Sequence, residues 1–273
     1  MVDVRWTGAA GLEFSHGGSS VLIDPYHSRP RKFAAFFGRL SPRVDEIERY
    51  VAGLTGKLSA IIVGHTHVDH ALDIPEFAKR CDGPVVGSAS LDTLVAMHGM
   101  AGRVTVCRGG EEIELPGSAR VTMIPSRHGL VVFGRAPYPG EIDPKARPPL
   151  KASEYRHGSV FLPKLHMGGL VFMHVGSANF IEKELDGHRC DVLFMCVPGW
   201  KKVPGYTTRL LQIAKPRVVI PFHFDDFSAP MRPNMKAPPL PFQDHRGLMQ
   251  QISQAAPSVE IRWPETFETM RFQ

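Results

Sequence analysis

Cysteine is scarce: four residues in 273 (Cys81, Cys107, Cys190 and Cys196), with no CxxC pair among them. That scatter offers neither a disulfide framework nor cysteine zinc spacing, and it reads as small buried thiols in a reducing compartment. No stretch approaches the roughly 20 apolar residues of a membrane helix. The opening residues 1–6 contain no apolar run ahead of a cleavage site, so no secretory signal is expected. A cytoplasmic protein is the resulting expectation. Long Lys/Arg runs and nucleic-acid motifs are also missing, so no nucleic-acid partner is expected. No repeat of fixed period is visible.

What is present suits a globular protein. The chain is 43% hydrophobic and 22% charged, enough for one large domain or two small ones with a substantial core. The formal charge of +5 is mild, although a clustered basic surface could attract anionic substrates or lipid headgroups.

The chain is organised around His65-Thr66-His67-Val68-Asp69-His70. It follows the apolar run 59–63, which reads as a buried strand. Side chains alternate in extended backbone, so His65 and His67 point the same way and can share one ion. Beyond them the chain must turn, and Asp69 and His70 project from the turn toward a neighbouring point. Four ligands in two pairs suit two adjacent metal ions.

Short strands are expected at 2–6, 12–15 and 19–23, with Gly17-Gly18 turning the hairpin. Residues 26–42 interleave Arg29, Arg31, Lys32 and Arg39 with Phe33, Phe36 and Phe37. The favoured reading is a short helix that packs its phenylalanines inward; the sharper one is a lid or membrane-touching flap. Helical spacing recurs at 44–54. Asp73 is expected to cap a helix containing Pro75, and Ser90 one over 91–97. Strands follow at 84–86, 104–107, 111–115 and 119–125, the last delivering Ser126-Arg127-His128. The Pro-rich segment 134–150 reads as a substrate-contacting insertion. A hairpin is expected over 159–165 and 169–175, ending at Gly176-Ser177. Helices at 181–185, 207–214 and 244–255 and strands at 191–197, 217–222 and 259–263 complete the pattern, with a second Pro-rich loop at 227–241. Both halves mix strand meanders with helices, which fits two similar layers packed face to face.

Four apolar strands thus end in polar groups: His65/His67, His128, Ser177 and His223. With the opening Trp6-Thr7-Gly8-Ala9-Ala10-Gly11, the strand end Leu22-Ile23-Asp24-Pro25 and the HxHxDH stretch, these features resemble the metallo-β-lactamase superfamily over nearly the whole chain. Order and spacing look most like the branch containing the ascorbate-6-phosphate lactonases. The resemblance implies an α+β fold, a four-layer αββα sandwich, as a single domain over 1–273 with insertions near 26–42, 134–157 and 227–241. It implies one metal site of His65, His67 and His128 and a second of Asp69, His70 and His223. Relatives usually bridge the two metals with a further aspartate, and Ser177 stands at that place here. A hydroxyl brings no negative charge to two dications. Three outcomes follow: hydroxide bridges alone, only the three-histidine site fills, or catalysis is lost and the fold kept.

The implied cofactor is one or two divalent metal ions, zinc first, with manganese or iron as alternatives. The metal would ionise water near neutral pH, Asp69 would orient it or move its proton, and Asp24 would hold a ligand imidazole from behind, unless it only makes an Asp-Pro turn. The expected function is hydrolysis of a small anionic ester, lactone or phosphodiester, with Arg29, Arg31, Arg127 and Arg135 as candidate anion contacts. Alternatives are a non-catalytic binding module, a lipid phosphodiesterase with transient membrane-surface contact, and di-iron redox chemistry. A homo-oligomer stays open. The remaining histidines, including His27, His157 and His174, read as structural. Asn179 is a weak candidate for an oxygen near the metals.

Overall fold

The computed structural model describes residues 1–231, 236, 238–241 and 243–273, apart from the side chains of Ala35 and Phe36. The expectations for Phe36 and for residues 232–235 and 237 of the 227–241 loop lie outside the described residues.

The strands in chain order are β1 (Val2–Gly8), β2 (Gly11–His16), β3 (Ser19–Ile23), β4 (Arg39–Leu40), β5 (Lys57–Ile62), β6 (Val85–Gly87), β7 (Val104–Val106) and β8 (Glu112–Leu115). They continue as β9 (Ala119–Pro125), β10 (Leu150–Lys151), β11 (Phe161–Met167), β12 (Leu170–Val175), β13 (Val192–Cys196), β14 (Val218–Phe222), β15 (Glu260–Ile261) and β16 (Thr269–Phe272). The helices are α1 (Lys32–Phe37), α2 (Val44–Ala52), α3 (Val68–Ala71), α4 (Ile74–Ala78), α5 (Ala89–Ala96), α6 (Glu182–Leu185), α7 (Tyr206–Ala214) and α8 (His245–Ala255).

Two seven-stranded sheets carry the fold, ordered β16-β1-β2-β3-β5-β6-β7 and β15-β14-β13-β12-β11-β9-β8. Each begins as an antiparallel meander and continues as parallel strands: β3, β5, β6 and β7 in one, β12, β13, β14 and β15 in the other. A parallel neighbour needs a crossover, and helices supply it between each such pair. The helices therefore lie outside the two sheets, which gives the four-layer αββα sandwich.

Strand alternation shows the layering residue by residue. Val21, Ile23, Ala60, Ile62 and Val86 face the second sheet, in the core with Phe172, Leu193 and Phe194. Their neighbours Leu22, Ile61, Val63 and Val85 face the opposite way, against Ile74, Phe77, Leu91 and Leu94 of the helices. A period of two with both faces apolar is what a strand buried on both sides requires.

Local expectations fail in four places. Ser88, not Ser90, caps α5, accepting from Leu91 N at 3.3 Å, while Ser90 Oγ accepts Ile142 N at 2.9 Å and donates to Glu141. Asp73 occupies the N-cap position of α4 without capping it; its carboxylate accepts from the amides of His27 and Ser28 and the Ser28 hydroxyl. Asp69 and His70 sit on the short helix α3 rather than a bare turn. Phe33 and Phe37 of α1 do not pack inward, being 79% and 74% exposed. The edge strand β16 and the small β4–β10 pair went unforeseen.

Candidate metal centre

The site is built where strands run out at one edge. β3 ends before Asp24, β5 before Gly64, His65 and His67, β9 before His128, β12 before Ser177 and β14 before His223. Carboxyl ends of parallel strands are where such sheets place ligands, because the chain leaves each strand there for a loop or helix. Asp24 (φ 47°) and His223 (φ 64°) both adopt left-handed backbone, so each strand stops abruptly and its side chain turns into the cleft. Gly64 donates its amide to Asp24 Oδ1 at 2.7 Å, and a Cβ there would lie only 3.2 Å from Asp24 Oδ2. Glycine lets the two strand ends meet.

The six predicted ligands assemble into two groups, His65/His67/His128 and Asp69/His70/His223; within each, the ligand atoms lie within 4.8 Å of one another. Ring centroids in the first group are 4.5 to 4.9 Å apart. In the second, Asp69 Oδ2 is 3.3 Å from His223 Nε2 and 3.7 Å from His70 Nε2. His65 and His70, with centroids 3.7 Å apart, join the groups.

Hydrogen bonds around the rings fix which nitrogen can bind a cation. A carbonyl only accepts, so His67 carries its proton on Nε2, facing Pro137 O at 3.0 Å, and His128 on Nδ1, facing Gly129 O at 2.8 Å. His70 donates Nδ1–H to Asp24 Oδ2 at 2.7 Å. The opposite nitrogen of each ring is left as a lone pair, the usual arrangement behind a metal-binding histidine. His65 Nε2 and His223 Nδ1 are buried without a hydrogen-bond partner. An orphaned buried nitrogen costs stability unless something else satisfies it. Five imidazoles and one carboxylate are a donor set for a borderline divalent ion such as zinc, and these residues fit it.

The electrostatics of the three-histidine group agree. Burial pushes His65 well below the ordinary imidazole value, helped by His70, His67 and His128. Burial likewise lowers His67 to about 4 and His128 to about 3. These rings are neutral at physiological pH, as metal ligands must be. Burial would raise the Asp69 carboxyl, but the charge of His70 and the hydrogen bond from His223 outweigh it and hold it well below the carboxylate range. Burial opposes protonation of His70, yet Asp24 and Asp69 raise it.

The other candidates fall differently. Ser177 Oγ accepts the Gly129 amide at 2.9 Å and so braces the His128 loop. Asn179 does the same, Nδ2 donating to His128 O at 3.1 Å and Oδ1 accepting Phe180 N at 2.9 Å. Arg29 is no anion contact, being buried and paired with Asp225 at 2.6 Å. Arg31, Arg127 and Arg135 are exposed. His27 does not face the cleft; it is half-buried and packs against Tyr50, 4.0 Å between centroids. His174 is buried behind the site and bonds Ala10 O at 2.8 Å.

His157 carried no sequence signal, yet it stacks on His128 at 5.9 Å, its ring 5.6 Å from that of His67. The 134–157 insertion brings it there by folding back: Thr66 N donates to His157 O and His157 N to Tyr138 O, both at 3.1 Å. Its Nδ1–H meets Gly158 O at 2.6 Å, which leaves Nε2 to act. His128 and His157 line a cavity of about 610 Å³ together with Arg108, Arg127, Ser159 and Leu130.

Comparison with known proteins agrees with this geometry. A family model described as a β-lactamase superfamily domain matches residues 3–223. A UPF0173 metal-dependent hydrolase of Anaeromyxobacter dehalogenans is 29% identical over 237 residues, 83% of this chain and 76% of the relative. One from Pyrobaculum arsenaticum is 26% identical over 230 residues, 83% and 85% of the two chains. Among solved structures, a metallo hydrolase from Ignicoccus hospitalis superposes with a TM-score of 0.63 at 17% identity, covering 100% of this chain and 98% of that one. The chain therefore belongs to the metallo-β-lactamase superfamily, as one of its metal-dependent hydrolases.

Proposed function

We propose that this hydrolase cleaves a small anionic ester, lactone or phosphodiester, with zinc held by His65, His67 and His128 and by Asp69, His70 and His223. The observation that carries the reading is the pairing of two three-residue donor groups, one of which reaches through His128 a cavity that Arg108 and Arg127 also line. When bound, such ions supply Lewis acidity, which makes water acidic enough to ionise near neutral pH and polarises a carbonyl or phosphoryl oxygen.

The chain's own residues do the rest. Asp69, ionised and bordered by His70 and His223, orients the attacking water or takes its proton. Arg108 and Arg127 draw an anion into the cavity they line, and the Ser159 hydroxyl orients it. His157 presents Nε2 to the same cavity and can hydrogen-bond the substrate beside His128. All four cysteines are free and buried, in keeping with a cytoplasmic setting.

The test combines metal analysis of protein purified without chelator with turnover of matched anionic and neutral esters. We expect one to two divalent ions per chain and preference for the anionic member. Arg127→Ala should raise KM for the anionic ester by roughly tenfold with kcat little changed, as loss of uniform binding does. Equal turnover of both esters, or metal-free active protein, would sink the reading.

A further inference from the structure

We propose that the two insertions beside the metal centre form a docking surface for an anionic lipid bilayer, a role separate from the bond that is hydrolysed. Large aromatic side chains are exposed on both: Phe33 is 79% and Phe133 100% exposed, with Phe37, its ring 5.3 Å from that of Phe33, at 74% and Val132 at 46%. Single exposed apolar residues are ordinary; bulky ones on two segments that both border the metal centre, one through His67 and His128 and the other through Asp226 in the loop after His223, point to an interaction surface.

The Phe133 segment is built rather than loose. Val132 and Arg135 pair across a tight turn, Arg135 N to Val132 O at 2.8 Å and Val132 N to Arg135 O at 3.2 Å. The central residues, Phe133 (φ 45°) and Gly134 (φ 72°), are both left-handed, as a type I′ turn requires. Asparagine or glycine suits the first position far better than phenylalanine, so the ring is kept at the tip against local preference. Both feet of this hairpin rest on the donor groups. Gly129 bonds His128 and Ser177 at one end, and Pro137 O accepts from His67 at the other.

The α1 segment is tied to the far end of the same insertion. It leads into β4, which pairs with β10, the strand that closes the insertion begun by the hairpin.

Charge decides the occupant. Of the basic residues in 28–43, Arg29 pairs with Asp225, Lys32 with Asp226, Arg39 with Glu154 and Arg43 with Asp45 and Glu46, which leaves Arg31; residues 126–138 add Arg127 and Arg135 and contain no acidic residue. Among the described residues, Arg31, Arg127 and Arg135 are exposed and make no salt bridge. A second copy of the chain meeting this surface about a two-fold axis would set these cations against each other. An anionic bilayer satisfies both chemistries, taking the rings at the level of the headgroups and acyl chains and the guanidiniums among the phosphates.

The experiment is co-sedimentation of the full, metal-containing chain with vesicles of phosphatidylcholine alone or mixed with phosphatidylserine. We expect binding to the mixed vesicles, little to the neutral ones, and weakening with added salt. Phe33→Ser with Phe133→Ser should lower partitioning by roughly tenfold or more, and Arg31→Glu with Arg135→Glu should abolish the preference for phosphatidylserine. Metal content reports whether each variant is folded. Phe133→Asn is the second probe, since it suits the turn and should fold at least as well while binding less. The proposal is overturned if the wild type ignores anionic vesicles, or if folded aromatic variants bind equally. It is also overturned if sedimentation shows a dimer that the aromatic substitutions dissociate.

Discussion

His70 Nδ1 lies 2.7 Å from Asp24 Oδ2, and both side chains are buried. The other oxygen of Asp24 accepts the Gly64 amide at 2.7 Å, so one carboxylate ties the end of β3, the end of β5 and helix α3 together. It also directs the lone pair of His70 toward Asp69 and His223. Asp24→Asn keeps the shape but removes the charge and can present an N–H where an acceptor is needed. Metal affinity at the Asp69/His70/His223 group should fall about 10- to 100-fold. Chelator competition would measure it, with the three-histidine group as the internal control. Unchanged affinity at both groups would refute this role for Asp24.

Ser177 offers a second test. Among the six ligands only Asp69 is anionic, so two dications here would lack negative charge. Ser177→Asp adds a carboxylate at the end of β12 and should raise metal occupancy at the Asp69/His70/His223 group. Ser177→Ala instead orphans the Gly129 amide and should loosen His128, weakening the three-histidine group. Metal per chain, measured for both variants against wild type, separates the two effects. Identical stoichiometry in Ser177→Asp would mean that Ser177 does not stand where a bridging group would.

Acid stability depends on a ring that binds no metal. Burial, with Arg29 and Arg5 adding repulsion, lowers His27 to about 3. The folded ring is neutral, while the unfolded chain takes up a proton below about 6.5. The unfolded state then holds more protons, so stability is complete above about pH 6.5 and declines as the pH falls toward 3. The slope is at most about 1.4 kcal/mol per pH unit for this one group. His27→Phe keeps a ring against Tyr50 and Phe77 and removes the proton site. Relative to wild type, the variant should gain about 2 kcal/mol between pH 8 and pH 5 in urea unfolding. A pH-independent difference would show that His27 is not the titrating group.

Particular residues show what could be read in advance. His65, His67, His128 and His223 were legible because each follows an apolar strand, and a buried strand running into imidazole is a pattern of local sequence. His157 was not, since nothing periodic precedes it and only the folding back of the insertion brings it to His128. Helix caps failed by a single step: Ser88 and Ser90 are equally good caps, and the choice rests on Glu141 and Ile142, fifty residues on, claiming Ser90. Phe33 and Phe37 were misread because spacing marks an apolar side without saying whether a neighbouring layer covers it. The pairing of β16 with β1 joins the two chain ends, a contact that local pattern does not encode.

The Arg29–Asp225 pair, invisible for the same reason, should dominate the stability of the site's rim. Arg29 Nη2 is 2.6 Å from Asp225 Oδ2, and its other amino group donates to Asp226 O and Ala229 O at 3.2 Å. Asp225 Oδ1 accepts Ala9 N at 2.9 Å. The pair thus pins the loop after His223 to the start of the first insertion. Removing one partner strands the other as a buried charge, at a cost of about 3–5 kcal/mol. Asp225→Ala should therefore be severely destabilised and should also lose metal at the His223 group, because the chain leaving His223 is no longer held. Arg29→Met with Asp225→Leu leaves neither charge and should recover most of the thermal stability. Recovery of the melting temperature without recovery of metal content would assign the pair to positioning His223. If the single variant lost neither, the rim would owe its order to other contacts.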